Sequence, residues 1–211
     1  MRHMTVEEVA PAIASSTPHL NRQERRLALA AYRLLARGEP VESETFADVT
    51  QLDAGWVAET VESWPAVTRD DRGRIVGFGG LALAETPHRL EIDGRQLYGW
   101  CALDALFLPG LIGASARVTS ACPVTGEGIA LTVAPDGVEE LSHTGAVVSM
   151  LPSVGADFCD HVNFFASEQA GAQGIADRED AFLLAVHEAF RLGKLSNPLG
   201  ALSNPVEEIP E

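Results

Sequence analysis

The chain is short of positive charge, of cysteine and of long apolar runs, and each shortage narrows what it can be. Lys and Arg number 15 against 30 Asp and Glu, a formal net charge of -15. Such a balance repels polyphosphate and anionic lipid, so neither nucleic acid nor membrane is expected as a partner. No apolar run approaches the roughly 20 residues that a membrane-spanning helix needs. Met1 to Leu20 lacks a basic start followed by an apolar block, so it does not read as a secretion signal. The 3 cysteines cannot all pair internally, and without a signal an odd count predicts reduced thiols and a cytoplasmic setting. The spacings typical of zinc sites, Cys-x-x-Cys and His-x-x-x-His, are missing, which argues against His161 and His187 as ligands. Gly77-Phe78-Gly79-Gly80 lacks the rest of a phosphate-binding fingerprint. No internal repeat is visible.

With 211 residues and 46% apolar content, the chain can bury a core without staples, as one domain or two small ones. Residues 1–21 read as a loosely ordered lead with a short helix from Val6 to Ser15. Helical spacing of Leu27, Ala31, Leu34 and Leu35 predicts a helix from Gln23 to Gly38, stopped by Gly38 and Pro40. Ser43 to Val49, with Ser43 as cap, and Asp53 to Trp64, with Asp53 as cap, predict two more. Asp70-Asp71-Arg72-Gly73 then signals a turn before a strand from Ile75 to Leu83.

That order, over residues 22–80, resembles a winged helix. Arg22, Arg25, Arg26, Arg33 and Arg37 lie on or beside its first helix, but Ser43 to Trp64 contains no Lys or Arg. An element meant for a DNA groove would lack phosphate partners there.

Residues 81–195 read as a mixed helix and antiparallel-strand core, making the fold class α+β. Arg89 to Tyr98 predicts a strand pair around Asp93-Gly94, and Trp100 to Leu111 a buried helix. Strands are expected over Arg117–Cys122, Gly128–Val133 and Gly145–Leu151, with a closing amphipathic helix from Asp180 to Gly193. The Pro- and Glu-rich tail, 196–211, reads as mobile. No coiled-coil seam is visible, so a monomer or a homodimer is expected.

Cys101 and Asp104 stand three apart, a spacing that puts both on one face of a helix. Cys159 lies 58 residues beyond Cys101. Two sulfurs beside one proton-carrying carboxyl suit a soft, thiophilic metal and delivery of a proton to something bonded to it. The carboxylate would raise the neighbouring thiol's pKa, so metal binding has to drive deprotonation. A plain alternative stands beside this: a free cysteine in an apolar stretch is often a small buried hydrophobe. Cys122, before Pro123-Val124-Thr125-Gly126, is open to the same two readings.

At these residues the chain resembles the alkylmercury lyases, the organomercurial lyases of bacterial mercury resistance. The resemblance is carried by Arg95-Gln96-Leu97-Tyr98-Gly99-Trp100-Cys101-Ala102-Leu103-Asp104, by Phe107 to Gly113, and by Ala116 to Cys122 with Thr125-Gly126. Cys159-Asp160-His161-Val162-Asn163-Phe164-Phe165-Ala166-Ser167 and His187-Glu188-Ala189-Phe190 continue it, and it spans roughly residues 25–195. Some family members carry a second cysteine where this chain has Asp160, and some a histidine where it has Asn163.

The resemblance implies protonolysis of R-Hg⁺ to RH and Hg²⁺. Cys101 and Cys159 would hold the mercury, and Asp104, also within its reach, would move the proton. No cofactor is implied beyond free thiols for turnover, and cellular thiols or a mercuric reductase would accept the Hg²⁺. It also implies that the N-terminal helices are a lid or packing unit. Two rivals make different use of the same residues: a regulator that senses metal, and a protein that sequesters a soft metal without cleaving the C–Hg bond.

Overall fold

A computed structural model of the chain describes residues 4–16, 18–197 and 199. The expected mobile tail, beyond Ser196, lies almost wholly outside them. Four helices come first: α1 (Val6–Ser15), α2 (Arg22–Leu35), α3 (Ser43–Thr50) and α4 (Ala54–Ser63). Helix α1 buries Val6, Val9, Ala10 and Ile13, so this part of the lead is packed. Helix α2 begins with a reciprocal cap. The Asn21 side chain accepts from the Gln23 and Glu24 N–H groups, and the Glu24 carboxylate accepts from the Asn21 N–H at 2.7 Å. Asp53 caps α4 by accepting from the Trp56 N–H at 2.8 Å. Ser43 is the first residue of α3 rather than its cap; Glu42 holds that position and makes no side-chain capping bond.

Strands β1 (Val67–Arg69) and β2 (Ile75–Phe78) form a hairpin across the expected turn, with Asp70 accepting from the Arg72 and Arg74 N–H groups. The single strand expected from Ile75 to Leu83 is broken. Gly79 and Gly80 separate β2 from β3 (Leu81–Ala82), which folds back to pair with β2. The sheet then runs through β4 (His88–Ile92), β5 (Arg95–Gly99), β6 (Ala116–Ala121), β7 (Gly128–Ala134) and β8 (Gly137–Glu139). Its spatial order is β1-β2-β3-β5-β4-β6-β7-β8, antiparallel throughout. The β2–β3 pair crosses residue 80, so one sheet joins both halves of the chain.

Alternation sets the buried face of that sheet. His88, Leu90 and Ile92 point inward from β4, Val118 and Ser120 from β6, and Ile129, Leu131 and Val133 from β7. Helix α5 (Ala102–Ile112), between β5 and β6, is apolar on nearly every side and packs between α2, the sheet and α8 (Val186–Ser196). Helix α1 covers the other side of α8.

A second sheet of three strands has β9 (Val147–Met150) at its centre, flanked by β10 (Phe164–Phe165) and β11 (Phe182–Ala185). Short helices α6 (Phe158–His161) and α7 (Glu168–Gly174) flank β10 in the chain. Here the expected helix from Asp180 to Gly193 is corrected. Phe182 to Ala185 pair with Met150 to Val147 as a strand, and the helix starts only at Val186. Leu183 and Val186 fit a helical face, but Phe182 and Leu184 also fit an alternating one, and long-range pairing to β9 decided between them. No helix among the described residues is long and apolar enough to cross a membrane.

One polar side chain inside the larger sheet has a pH consequence. His88 is 2% exposed, its Nδ1 sits 3.1 Å from the Ser120 hydroxyl, and its ring meets Phe164 edge-on. Burial pushes its pKa from 6.5 down to about 4. Between those values the unfolded chain takes up a proton that the folded protein refuses, so acid favours unfolding there. The stability of the parent relative to a His88→Gln variant should therefore fall by about 3 kcal/mol from pH 7 to pH 4. Denaturant titrations of both proteins at the two pH values check this, and a constant difference refutes it.

Candidate functional site

The site forms where β5 hands over to α5. Cys101 is extended (φ -144°, ψ 176°) and occupies the cap position before the helix, while Asp104 is the third helical residue. The expected pairing on one helix face is thus replaced by a capping contact. The Asp104 Oδ2 accepts from the Cys101 N–H at 2.9 Å. A carboxyl in the first turn satisfies a backbone donor that the helix cannot, and it meets the positive end of the helix dipole.

Cys159 arrives from α6. The Ala102 N–H donates to the Val162 carbonyl at 3.0 Å, which ties the segment after Cys159 to the first turn of α5. The Cys159 thiol then faces the same Asp104 Oδ2 at 4.0 Å. Asp157, two residues earlier, is held by Arg178 at 3.0 Å and by His161 at 3.2 Å. The ligand atoms of Cys101, Asp104 and Cys159 all lie within 4.8 Å of one another, and among the described residues no other three such groups converge.

Burial grades the trio. Cys101 is 1% exposed and Asp104 9%, whereas Cys159 is half-buried. Burial pushes the Asp104 carboxyl from 3.8 up to about 6, against the opposing hydrogen bonds from Cys101. Burial, then the neighbouring Cys159 thiol and the Asp104 charge, push the Cys101 thiol well above its ordinary range. Left alone, the pocket is therefore a poor home for negative charge. A thiophilic cation bridging the sulfurs supplies the missing positive charge and displaces thiol protons, and Asp104 is the acceptor within reach.

The remaining sequence candidates fall elsewhere. Cys122 is buried but outside the trio. Burial acts to raise its thiol pKa, but hydrogen bonds involving the Thr125 side chain and the Ala166, Thr125 and Val124 backbones outweigh it and lower the value. His161 is engaged by Asp157, and His187 is exposed on α8. Asp160 is exposed and its backbone carbonyl accepts from the Asn163 side chain at 3.1 Å. Of the aromatic residues, Phe164 and Phe165 are spent on packing, Phe164 against His88 and Phe165 under α7, where Gly174 leaves it room. Trp100 stays half-buried beside Cys101.

Two features escaped the sequence. Gly80 lies against the Asp104 carboxyl, and Tyr32 of α2 donates to the Gly79 carbonyl. Burial, and secondarily the Asp104 charge, push the Tyr32 phenol up, so it remains a neutral donor. The only sequence signal was a Gly-Gly pair inside an apolar strand pattern.

With this geometry in view, the alkylmercury lyase family model matches residues 81–196. The chain is 41% identical over 167 residues to an alkylmercury lyase of Staphylococcus epidermidis, covering 77% of each protein. It is 42% identical over 168 residues to one of Pseudomonas putida, covering 77% of this chain and 79% of that protein. The fold matches a crystal structure described as the mercury-bound form of MerB2 with a TM-score of 0.73 at 20% identity, over 92% of this chain and 98% of that one.

The raised Asp104 carboxyl makes a stability prediction. Between pH 3.8 and about 6 the folded protein keeps a proton that the unfolded chain has lost. The carboxyl therefore costs stability that grows as pH rises through that window, is complete above it and vanishes below it. Asp104→Asn should be more stable than the parent by about 3 kcal/mol at pH 7.5, with the advantage gone near the lower limit. Thermal melts at both pH values test this; an Asn variant no more stable at pH 7.5 contradicts it.

Proposed function

The chain belongs to the alkylmercury lyase family, and we propose that it cleaves the carbon–mercury bond of R-Hg⁺ by protonolysis, giving RH and Hg²⁺. The observation that carries this reading is the convergence of Cys101, Asp104 and Cys159 within 4.8 Å. Two sulfurs suit the mercury, and the buried carboxyl suits the carbon that must gain a proton.

Solvent reaches Cys159 more readily than Cys101. R-Hg⁺ arriving as a thiol adduct exchanges that thiolate for the Cys159 sulfur, and Cys101 joins as the second ligand. A displaced thiol proton passes to Asp104, whose raised pKa makes it a better proton acceptor than an ordinary carboxylate. Donation from two sulfurs pushes electron density onto carbon. Asp104 protonates that carbon, and the electron pair of the Hg–C bond becomes the new C–H bond. In balance, R-Hg⁺ and two thiols give RH, Hg²⁺ on two thiolates, and one released proton.

The two sulfurs and the carboxyl supply all the chemistry, so no organic cofactor is required. Cellular thiols or a mercuric reductase remove the Hg²⁺, and reduced thiols fit a cytoplasmic setting. Trp100, half-buried and next to Cys101 in the chain, would be one apolar shelter for an organic R group. Helices α2 to α4 with the β1–β2 hairpin are winged-helix-like in shape only. The lack of Lys and Arg from Ser43 to Trp64 supports a packing role rather than DNA binding.

Benzene release from phenylmercuric acetate under excess thiol, followed by gas chromatography, tests the assignment. Cys101→Ala and Cys159→Ala should each release little benzene. Asp104→Ala should lose about 10²–10⁴-fold in rate, the range for a positioned general acid, while still retaining mercury. Full turnover by Asp104→Ala would remove the proton-shuttle role, and a well-folded, reduced parent that binds mercury but releases no benzene would be a sequestering protein.

A further inference from the structure

The chemistry above draws on residues 101–159 and leaves the N-terminal helices idle, yet one contact runs from them to the reacting carboxyl. Gly79 and Gly80 have φ values of 50° and 98°, the second in a region closed to most side chains. A Cβ at Gly80 would lie 2.3 Å from the Asp104 Oδ1 and 2.6 Å from its Cγ. A Cβ at Gly79 would lie 2.3 Å from the Tyr32 hydroxyl oxygen. The turn thus approaches α2 with one residue and α5 with the next, closer than any side chain would permit.

Hydrogen bonds fasten it on both sides. The Tyr32 hydroxyl donates to the Gly79 carbonyl at 2.9 Å, across 47 residues of sequence. The Trp100 N–H, immediately before Cys101, donates to the Gly80 carbonyl at 2.8 Å. Phe78 packs between Tyr32 and Trp64, each ring centre 4.9 Å from its own. Helix α2 and the residue that ends α4 therefore grip the strand that leads into the turn.

We propose that Gly80, held in place through the Tyr32–Gly79 hydrogen bond, is a positioning residue for Asp104. Its bare Cα forms a slot for Oδ1, while the Cys101 N–H holds Oδ2 toward the sulfurs. The carboxyl then has one orientation, confined from both sides. The N-terminal helices serve the reaction by holding that slot, touching neither mercury nor the organic group. This role rests on Asp104 being the proton donor.

The test uses Gly80→Ala and Tyr32→Phe in the full chain, beside the parent. Two quantities are read: the single-turnover rate of benzene release from bound phenylmercury, and retention of Hg²⁺ from mercuric chloride under thiol competition. A donor misplaced by about 1 Å should cost on the order of 10²-fold in rate, so Gly80→Ala should fall that far with Hg²⁺ retention unchanged. Tyr32→Phe, which keeps the ring and loses only the hydroxyl, should fall in the same direction by a smaller factor, again with retention intact.

A Gly80→Ala protein that releases benzene at the parental rate overturns the positioning role. So does one that loses retention and rate together, since that marks general unfolding of the site. If Gly80→Ala does not fold, Tyr32→Phe decides, and a parental rate there overturns the role. A parent that releases no benzene sinks the lyase assignment and this role with it; a parent and variant that cleave equally sink this role alone.

Discussion

One hydrogen bond organises the site: the Cys101 N–H to the Asp104 carboxyl at 2.9 Å. It ends β5, starts α5 and points the carboxyl oxygen toward the space that Cys159 enters. A helix start always leaves N–H groups without partners. A Ser or Asn cap would satisfy such groups as well. Here a sulfur stands at the cap position and the carboxyl at the third, so the local requirement of the helix and the need for two reactive groups side by side are met by the same four residues. The Ala102 bond to the Val162 carbonyl adds Cys159 to that arrangement from a distant part of the chain.

The pocket so formed opposes charge. Burial raises both the Cys101 thiol and the Asp104 carboxyl, and each would worsen the other if ionised. This is a cost to the protein's stability and, on the proposed function, would favour a strongly thiophilic cation. A weakly thiophilic cation gains too little from the sulfurs to offset their deprotonation, whereas mercury, bonding strongly to thiolate, does. On the proposed mechanism, a proton released at this buried site has the Asp104 carboxyl as its acceptor, and that carboxyl would then protonate the carbon. Cys122 shows the contrast: the surrounding hydrogen bonds lower its thiol pKa, but it stands outside the trio.

Much of the local structure was legible because it depends on near neighbours. The cap at Asp53, the turn at Asp70 to Gly73, and the strand pair around Asp93-Gly94 all fall where residue chemistry asks for them. Two local readings failed, since Ser43 opens α3 rather than capping it and Cys101 stands at the cap of α5; the other failures lie where long-range pairing decided. Phe182 to Ala185 read as helix until β9 is present to pair with them. Ile75 to Leu83 read as one strand because the pattern does not say that Gly79 and Gly80 must turn against Tyr32 and Asp104. Strands β8 and β10 are too short to carry a period of their own.

The sequence by itself determined which groups are available: two cysteines in distinctive surroundings, a carboxyl three residues from one of them, and a charge that turns away polyphosphate. Resemblance to a family added what those groups are for. Only the tertiary structure decided that Cys159 meets Cys101, that Cys101 lies outside its helix, that Cys122 does not join, and that a glycine turn held by an N-terminal tyrosine backs the carboxyl. The physical reason is separation along the chain. Capping and turn formation act over three or four residues, whereas contacts spanning 47 or 55 residues depend on the packing of the sheet and helices between them.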